Sequence, residues 1–499
     1  MPSLRKQKQL KRTTRSATKA LNARLQGPPS LTNLPTEIKE FIVEFVGVRL
    51  ERRPGAPPTS ETRRTLKSLA LIDKVYAMLV RPYLFQAVRC AGQDLTSYIN
   101  FHDNVLPRYQ EGITSLLFHR GTAGQPTSEV RNDAARITGT SHEESDGEEI
   151  FGSLMANLID KLPRLNSVAF DFHPSQPCNR VQRYERGHRE SQHTNKRRSA
   201  EETPKTRFPS YEDPVLKALQ LKWNQITSLD ITLDSCPQSG YGALAKFLNS
   251  FCDLKSIRLS NTFATRFHDA NLEAWDESGN YKLWSSIMAL DRLESLSLVH
   301  APDLVDDSLC THGIWPGWDR LPLKYLTIIG ADHLGIGNLI DFTNSFAYTL
   351  EHLTLSECPR EPPDSFNGCG STLHDRPFDD QMALEYTRFV LPRLESLTLG
   401  RQSLYSDDLF PLTEYLNMRH VTFGTCHEYG TNNFYAFAEK HKNSLKSMKI
   451  RVEENWSDGE ALRLQEDLQK RLNIRCDLSW RKKLDGLDDF HWPVDPVFA

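Results

Sequence analysis

The sequence predicts an α/β fold in which a small helical unit is followed by parallel strands alternating with helices. Three observations carry this expectation. A phrase of the form apolar-x-x-apolar-x-apolar recurs ten times between Ile113 and Ile450. Helical apolar patterns lie between successive phrases. Ahead of them, two short amphipathic stretches fill Leu31 to Val88.

The phrases begin at Ile113, Leu165, Ile226, Leu254, Leu293, Leu323, Leu350, Leu394, Met418 and Leu445. In each, the last two apolar residues alternate as in a strand with one buried face, and the leading one packs beside them. Between phrases, Leu244, Phe247, Leu248 and Phe251 share a helix face, as do Leu283, Ile287 and Leu290. Leu339, Phe342 and Phe346 repeat the pattern, and so do Ala461, Leu464, Leu468 and Leu472. One strand and one helix cannot bury their faces alone, so neighbouring units must stack into one continuous core. The shortest separations between phrases, 24 to 30 residues, fit the period of leucine-rich repeats. The phrases resemble degenerate members of that class. The resemblance implies a solenoid with parallel strands on its concave face and helices outside.

The stretch before the phrases opens LTNLPTEIKEFIVEFV. There Leu34, Ile38, Ile42 and Phe45 recur at helical spacing, so one face is apolar. Pro35 at the helix entrance has no amide to lose. A polar loop is expected from Gly47 to Arg64, followed by TLKSLALIDKVYAMLVRPYLFQAV with Leu66, Leu69, Ala70 and Leu71 as an apolar run. Leu34-Pro35, Glu37, Ile38 and Ile42, then Leu66, Leu69, Leu71, Val75, Tyr76 and a distal RPYLF, resemble an F-box of the fungal type. The resemblance covers this stretch alone. The loop is longer than usual, and Tyr76 stands where many members carry Trp. It implies docking onto a Skp-type adaptor through Leu34, Pro35, Ile38, Ile42, Leu69, Leu71 and Val75.

A chain of 499 residues with 38% apolar and 25% charged side chains is expected to form several structural units. Residues 1–30 hold eight Lys or Arg and no acid, a self-repelling tail and a potential nuclear import signal. The helical unit is expected at 31–90 and the solenoid at 91–480. Two polar stretches, 120–149 and 174–210, are expected as disordered insertions because they carry too few aliphatics to offset their ordering entropy. Residues 481–499 are expected to cap or trail the array. Net charge is only −3, no run of 18 apolar residues exists, and nine dispersed cysteines include no CxxC pair. These features point to a reduced compartment, cytoplasmic or nuclear, and away from a membrane.

No phosphate loop, zinc helix or nucleophile elbow occurs, so no catalytic residue, metal or cofactor is assigned. Asp306-Asp307, Asp379-Asp380 and Asp407-Asp408 suit helix starts better than acid–base work. The two resemblances together imply a non-catalytic substrate receptor of a Skp–cullin–F-box ubiquitin ligase, reaching a cullin and a RING subunit through the adaptor. Substrate contacts are expected at outward strand positions: Asp230, Thr232, Arg258, Ser260, Ser297, Thr327, Thr354, Ser356, Thr398, Thr422, Lys449 and Arg451. Two alternatives remain open. One is an adaptor-bound scaffold outside any ligase. The other is a nucleic-acid-associated repeat protein using the basic tail and the basic insert around Arg180 to Arg198.

Overall fold

In a computed structural model of the chain, the residues described are 31–49, 60–91, 95–119, 126–142, 145, 147–172, 214–233, 237–261, 277–300, 320–331, 336–357, 388–400, 413, 416–424, 430–452 and 456–480. Three helices come first: α1 (Thr36–Arg49), α2 (Ser60–Ala70) and α3 (Lys74–Leu84). Two residues later begins β1 (Ala87–Ala91), then α4 (Leu95–Asn104), α5 (Leu106–Tyr109) and β2 (Ser115–His119). Next come α6 (Ser128–Thr138), α7 (Gly147–Lys161), β3 (Ser167–Phe172), α8 (Pro214–Leu221) and β4 (Ser228–Leu233). They are followed by α9 (Pro237–Leu248), β5 (Ser256–Asn261), α10 (Glu277–Met288), β6 (Ser295–Val299) and β7 (Tyr325–Ile329). The rest are α11 (Ile336–Asn344), β8 (His352–Ser356), β9 (Ser396–Leu399) and β10 (His420–Phe423). Last come α12 (Thr431–Lys440), β11 (Ser447–Val452), α13 (Asp458–Arg471) and β12 (Arg475–Trp480).

All twelve strands form one sheet in strict chain order, and every neighbouring pair is parallel. Helices supply eight of the crossovers that parallel pairing requires; the connections from β6 to β7, β8 to β9 and β9 to β10 lie largely outside the described residues. This is a solenoid-like arrangement. Every one of the ten phrases is a strand, and the first serine of most phrases lies in register with its neighbours: Ser115, Ser167, Ser228, Ser256 and Ser295 follow one another across the sheet.

The leading residues Ile113, Leu165, Ile226, Leu254, Leu293, Leu323, Leu350, Leu394, Met418 and Leu445 are all buried. So are the paired strand positions, such as Leu229 with Ile231 and Leu296 with Leu298. They join the helix faces in one continuous core from Val88 to Cys476. Trp284 on α10 packs edge-on against Phe342 on α11, and Phe423 on β10 is flanked by Phe434 and Phe437 on α12. Burying one such large apolar side chain stabilises by about 1.5–3 kcal/mol, so each added unit contributes through its contact with the next.

The structure corrects several expectations. The described residues of the stretch 120–149, expected as a disordered insertion, hold α6 and the start of α7. Thr127 caps α6 and Gly139, at φ 74°, ends it in the left-handed conformation, while Ala134 and Ile137 are buried. Three apolar side chains at helical spacing, Val130 included, dock it on the core despite its polar composition. The insertion expected at 174–210 and the segment 481–499 lie outside the described residues. The sheet starts at Ala87, inside the span assigned to the helical unit, and a strand follows the last phrase as β12. The loop expected from Gly47 to Arg64 is shorter, because α1 runs on to Arg49 and α2 begins at Ser60.

Two tests follow from the packing. The buried Tyr98 hydroxyl on α4 donates to the Leu154 carbonyl of α7 at 2.8 Å. Tyr98→Phe should lower stability by about 0.5–1.5 kcal/mol in urea denaturation, because the bond tying α4 to α7 is lost while the carbonyl keeps its helical amide. His441, at the end of α12, is buried against Phe437, and its imidazole is pushed down to about 4 by burial and by the charge of Lys440. An imidazole depressed in the folded state gives stability that is full above its ordinary value of 6.5 and is lost as pH falls towards 4. His441→Phe should therefore show a smaller stability loss than the parent between neutral and mildly acidic pH, measured by the same denaturation.

Candidate functional site

The helical unit has its own small core of Val43, Leu66, Leu69, Tyr76 and Val80, with Ile42, Val46, Leu79 and Leu84 packed against it. An ion pair holds it together. Lys39 of α1, only 5% exposed, reaches the carboxylate of Asp73, and its ammonium also donates to the Thr32 carbonyl at 3.0 Å. The same ammonium lies 5.2 Å from the centre of the Tyr76 ring, whose buried hydroxyl has no hydrogen-bond partner among the described residues. Asp73 caps α3 by accepting from the Tyr76 amide at 2.8 Å. Lys39 first, and then that amide, hold the Asp73 carboxyl below its ordinary value. One carboxylate thus fixes α1, the segment before it, and the turn that carries Leu71.

That core buries Lys39 and Val43 of α1. Of the apolar stripe read from the sequence, Leu34 and Ile42 are half-buried, whereas Ile38 and Phe45, with Phe41 beside them, face outward. Phe41 is 64% exposed, and its ring lies 6.4 Å from that of Phe45. Leu71, in the turn between α2 and α3, is 88% exposed, and Leu31 and Met78 are exposed as well. Exposed large apolar side chains on one small unit are the signature of a docking surface. Of the residues that the sequence nominates for adaptor contact, Pro35, Ile38 and Leu71 are exposed, while Leu34, Ile42 and Val75 are half-buried. Leu69 belongs to the core instead, because it is needed to hold α2 against the other two helices. Phe41, Phe45 and Met78 were missed. The signal was present at i, i+3 and i+7 from Ile38, but α1 is apolar on both sides and periodicity does not say which side is covered.

The nominated strand residues line up across the sheet. Asp230, Arg258, Ser297, Thr327, Thr354, Thr398, Thr422 and Lys449 form one row in register. Thr232 and Ser260 sit side by side in the next row, and their hydroxyls are 3.1 Å apart. Ser356 and Arg451 occupy the corresponding position on β8 and β11. All point away from the strand positions that enter the helical core. Asp230 and Arg258 form an ion pair at 3.8 Å. Three of the set are not available to a partner: Ser297, Thr327 and Ser356 are buried. The short side chains of Ser297 and Thr327 are recessed beside Val299 and Ile329, which are buried too. Ser356 fills the space above Gly400, where an added Cβ would meet its hydroxyl.

No group of three or more metal-ligating side chains occurs among the described residues, and none of their helices is long and apolar enough to cross a membrane. Cys90 and Cys476 are buried, and burial pushes both thiols up to about 12, which removes them as nucleophiles. The three paired aspartates lie outside the described residues. Compared with known proteins, the chain matches no family model and no curated protein.

The ion pair gives a direct test of the helical unit. Asp73→Asn should accelerate amide hydrogen exchange in α1 and α3 at neutral pH, while leaving the repeat strands unchanged. Because the wild-type carboxyl is depressed, its contribution is present above 3.8 and lost as pH falls through the folded value. The difference between variant and parent should therefore shrink in acid.

Proposed function

We propose that this chain is the substrate-recognition subunit of a Skp–cullin–F-box ubiquitin ligase, with the helical unit docking the adaptor and the repeat array holding a protein substrate. The observation that carries the reading is the outward apolar face of α1 together with the exposed Leu71 turn. These lie in the stretch whose sequence resembles an F-box. The row of strand residues pointing away from the helices is consistent with a leucine-rich-repeat type of binding surface.

The mechanism is one of proximity. The chain supplies no reacting group; it tethers a substrate near a conjugating enzyme carried by the cullin and RING subunits. Tethering replaces a bimolecular encounter with a high effective concentration of the transferring centre. Ile38, Phe41 and Leu71 would provide the anchors, with Pro35 and Phe45 beside them. The Lys39–Asp73 pair would keep those anchors in place before binding, which lowers the entropy lost on docking.

The test is co-purification from cells with the full chain, probed for the Skp adaptor and for cullin. Wild type should capture both. A variant with Phe41 and Leu71 changed to Ala should lose roughly ten-fold or more of the adaptor, since truncating central anchors costs about 2 kcal/mol or more each. Capture of adaptor without cullin would move the reading to a scaffold outside the ligase. Capture of neither would remove it.

A further inference from the structure

The first strand position carries a small hydroxyl at most repeats, but β7, β8 and β10 depart from this. Tyr325, His352, Ser396 and His420 follow one another there in register, with Ser447 next on β11. The Tyr325 and His352 rings are stacked and parallel, with centroids 4.5 Å apart. On the other side, His420 Nδ1 is 2.8 Å from the Ser447 hydroxyl. Each imidazole is thus held by the neighbour on its far side from Ser396. Two strand spacings, about 9–10 Å, separate the two imidazole positions, and Ser396 is the floor between them. A flat group midway over Ser396 would lie about 4.5–5 Å from the His352 ring, within reach of a cation–π contact.

The charges beside this slot balance in number but not in pairing. Just before these strands the chain runs Lys255, Glu294, Lys324, Glu351, Glu395, Arg419, each residue's amide bonding to the carbonyl of the one before. Lys324 pairs with Glu294 at 3.3 Å and Arg419 with Glu395 at 3.5 Å. Glu351 has no cation within ion-pair distance among the described residues. It sits beside Glu395 on the adjacent strand, a like-charge step that is unfavourable without a counter-charge. The charges of both carboxylates bear on His352.

We propose that the slot over Ser396 binds a planar cation, the guanidinium of an arginine presented by a partner polypeptide, stacked on the face of His352 turned away from Tyr325, with the edge of His420 beyond it, and paired with Glu351. A guanidinium combines a flat, weakly hydrated face with in-plane donors for a carboxylate, whereas a lysine ammonium offers no flat face. The site lies on the repeat array, apart from the outward face of α1, and it stands whether or not the helical unit docks an adaptor. Where that reading holds, the arginine belongs to the substrate.

The test is saturation-transfer NMR on the full chain with acetyl-Gly-Arg-Gly-amide at millimolar concentration, and with its lysine and citrulline counterparts. Transfer to the arginine side chain should exceed that to citrulline, its neutral near-isostere, by roughly five-fold or more, with lysine between them. Ser396→Trp, which fills the slot from an accessible position, should abolish the transfer. Glu351→Gln should weaken it without altering shape, and provides the answer should the tryptophan variant not fold. Equal transfer to arginine and citrulline, equal transfer to arginine and lysine, no transfer to any of the three, or arginine transfer that survives Glu351→Gln would each overturn the proposal. Adaptor capture measured on Glu351→Gln should equal wild type, so failure here and failure of the adaptor reading are separable.

Discussion

A single backbone contact, repeated, sets the geometry of the array. The residue just before each strand offers its carbonyl to two consecutive amides of the next unit. The Lys255 and Ser256 amides reach the Thr227 carbonyl at 2.8 and 3.0 Å, and the Glu294 and Ser295 amides reach that of Lys255 at 2.8 and 2.9 Å. The series starts at Gln86 and continues through Thr114 and Asn166 as far as Arg419, while the Lys446 carbonyl takes the Arg475 amide and that of Ile474 turns to Leu468. Because it precedes the first ladder bond of each strand, it fixes register before the strand begins. A slip of one residue would send every buried leucine to the opposite face.

That constraint explains which parts of a unit vary. Whatever lies between one strand and the next carbonyl contact can change length or composition without disturbing the sheet. The single helix α9 and the pair α6 and α7 are both accommodated in this way. The leading apolar residue cannot change so freely. It sits under the turn that aims the carbonyl, and it is buried in every one of the ten phrases. The residues pointing away from the helices are released from the helical core, and that is where the Tyr325–His352 stack and the Asp230–Arg258 pair are found.

The repeating strands were legible because one side chain pattern performs one packing task each time. Two strands were not. In β1 the inward pair is Val88 and Cys90, and in β12 it is Cys476 and Leu478. A free cysteine packs as a small apolar residue, but it breaks a pattern written in leucine and isoleucine. In β12 the leading position is also shifted: Asn473 takes a left-handed conformation and Ile474 turns into the core in its place. The helical unit was legible in outline, but not in its orientation. A helix apolar on two sides gives the same periodicity whichever side is buried. Here the choice was made by Lys39, whose inward turn toward Asp73 no apolar count would register. The slot over Ser396 was hidden for another reason, since its members come from separate phrases and meet only through the register of the sheet.

The junction between α3 and the sheet is short and stiff. Only Phe85 and Gln86 separate them: the Phe85 ring stacks on Tyr109 at 4.1 Å, and the Gln86 carbonyl begins the series of backbone contacts. Such a joint transmits orientation and not just attachment. From β1 to β12 the strand spacing adds up to a path of about 50 Å along the sheet. A molecule gripped at the helical end and another gripped along the strands would be held as if on a ruler. Their separation would be set by how many repeats lie between them. Lengthening or shortening the array by one unit would move one guest past the other by a fixed step, a means of adjusting reach that no flexible tether provides.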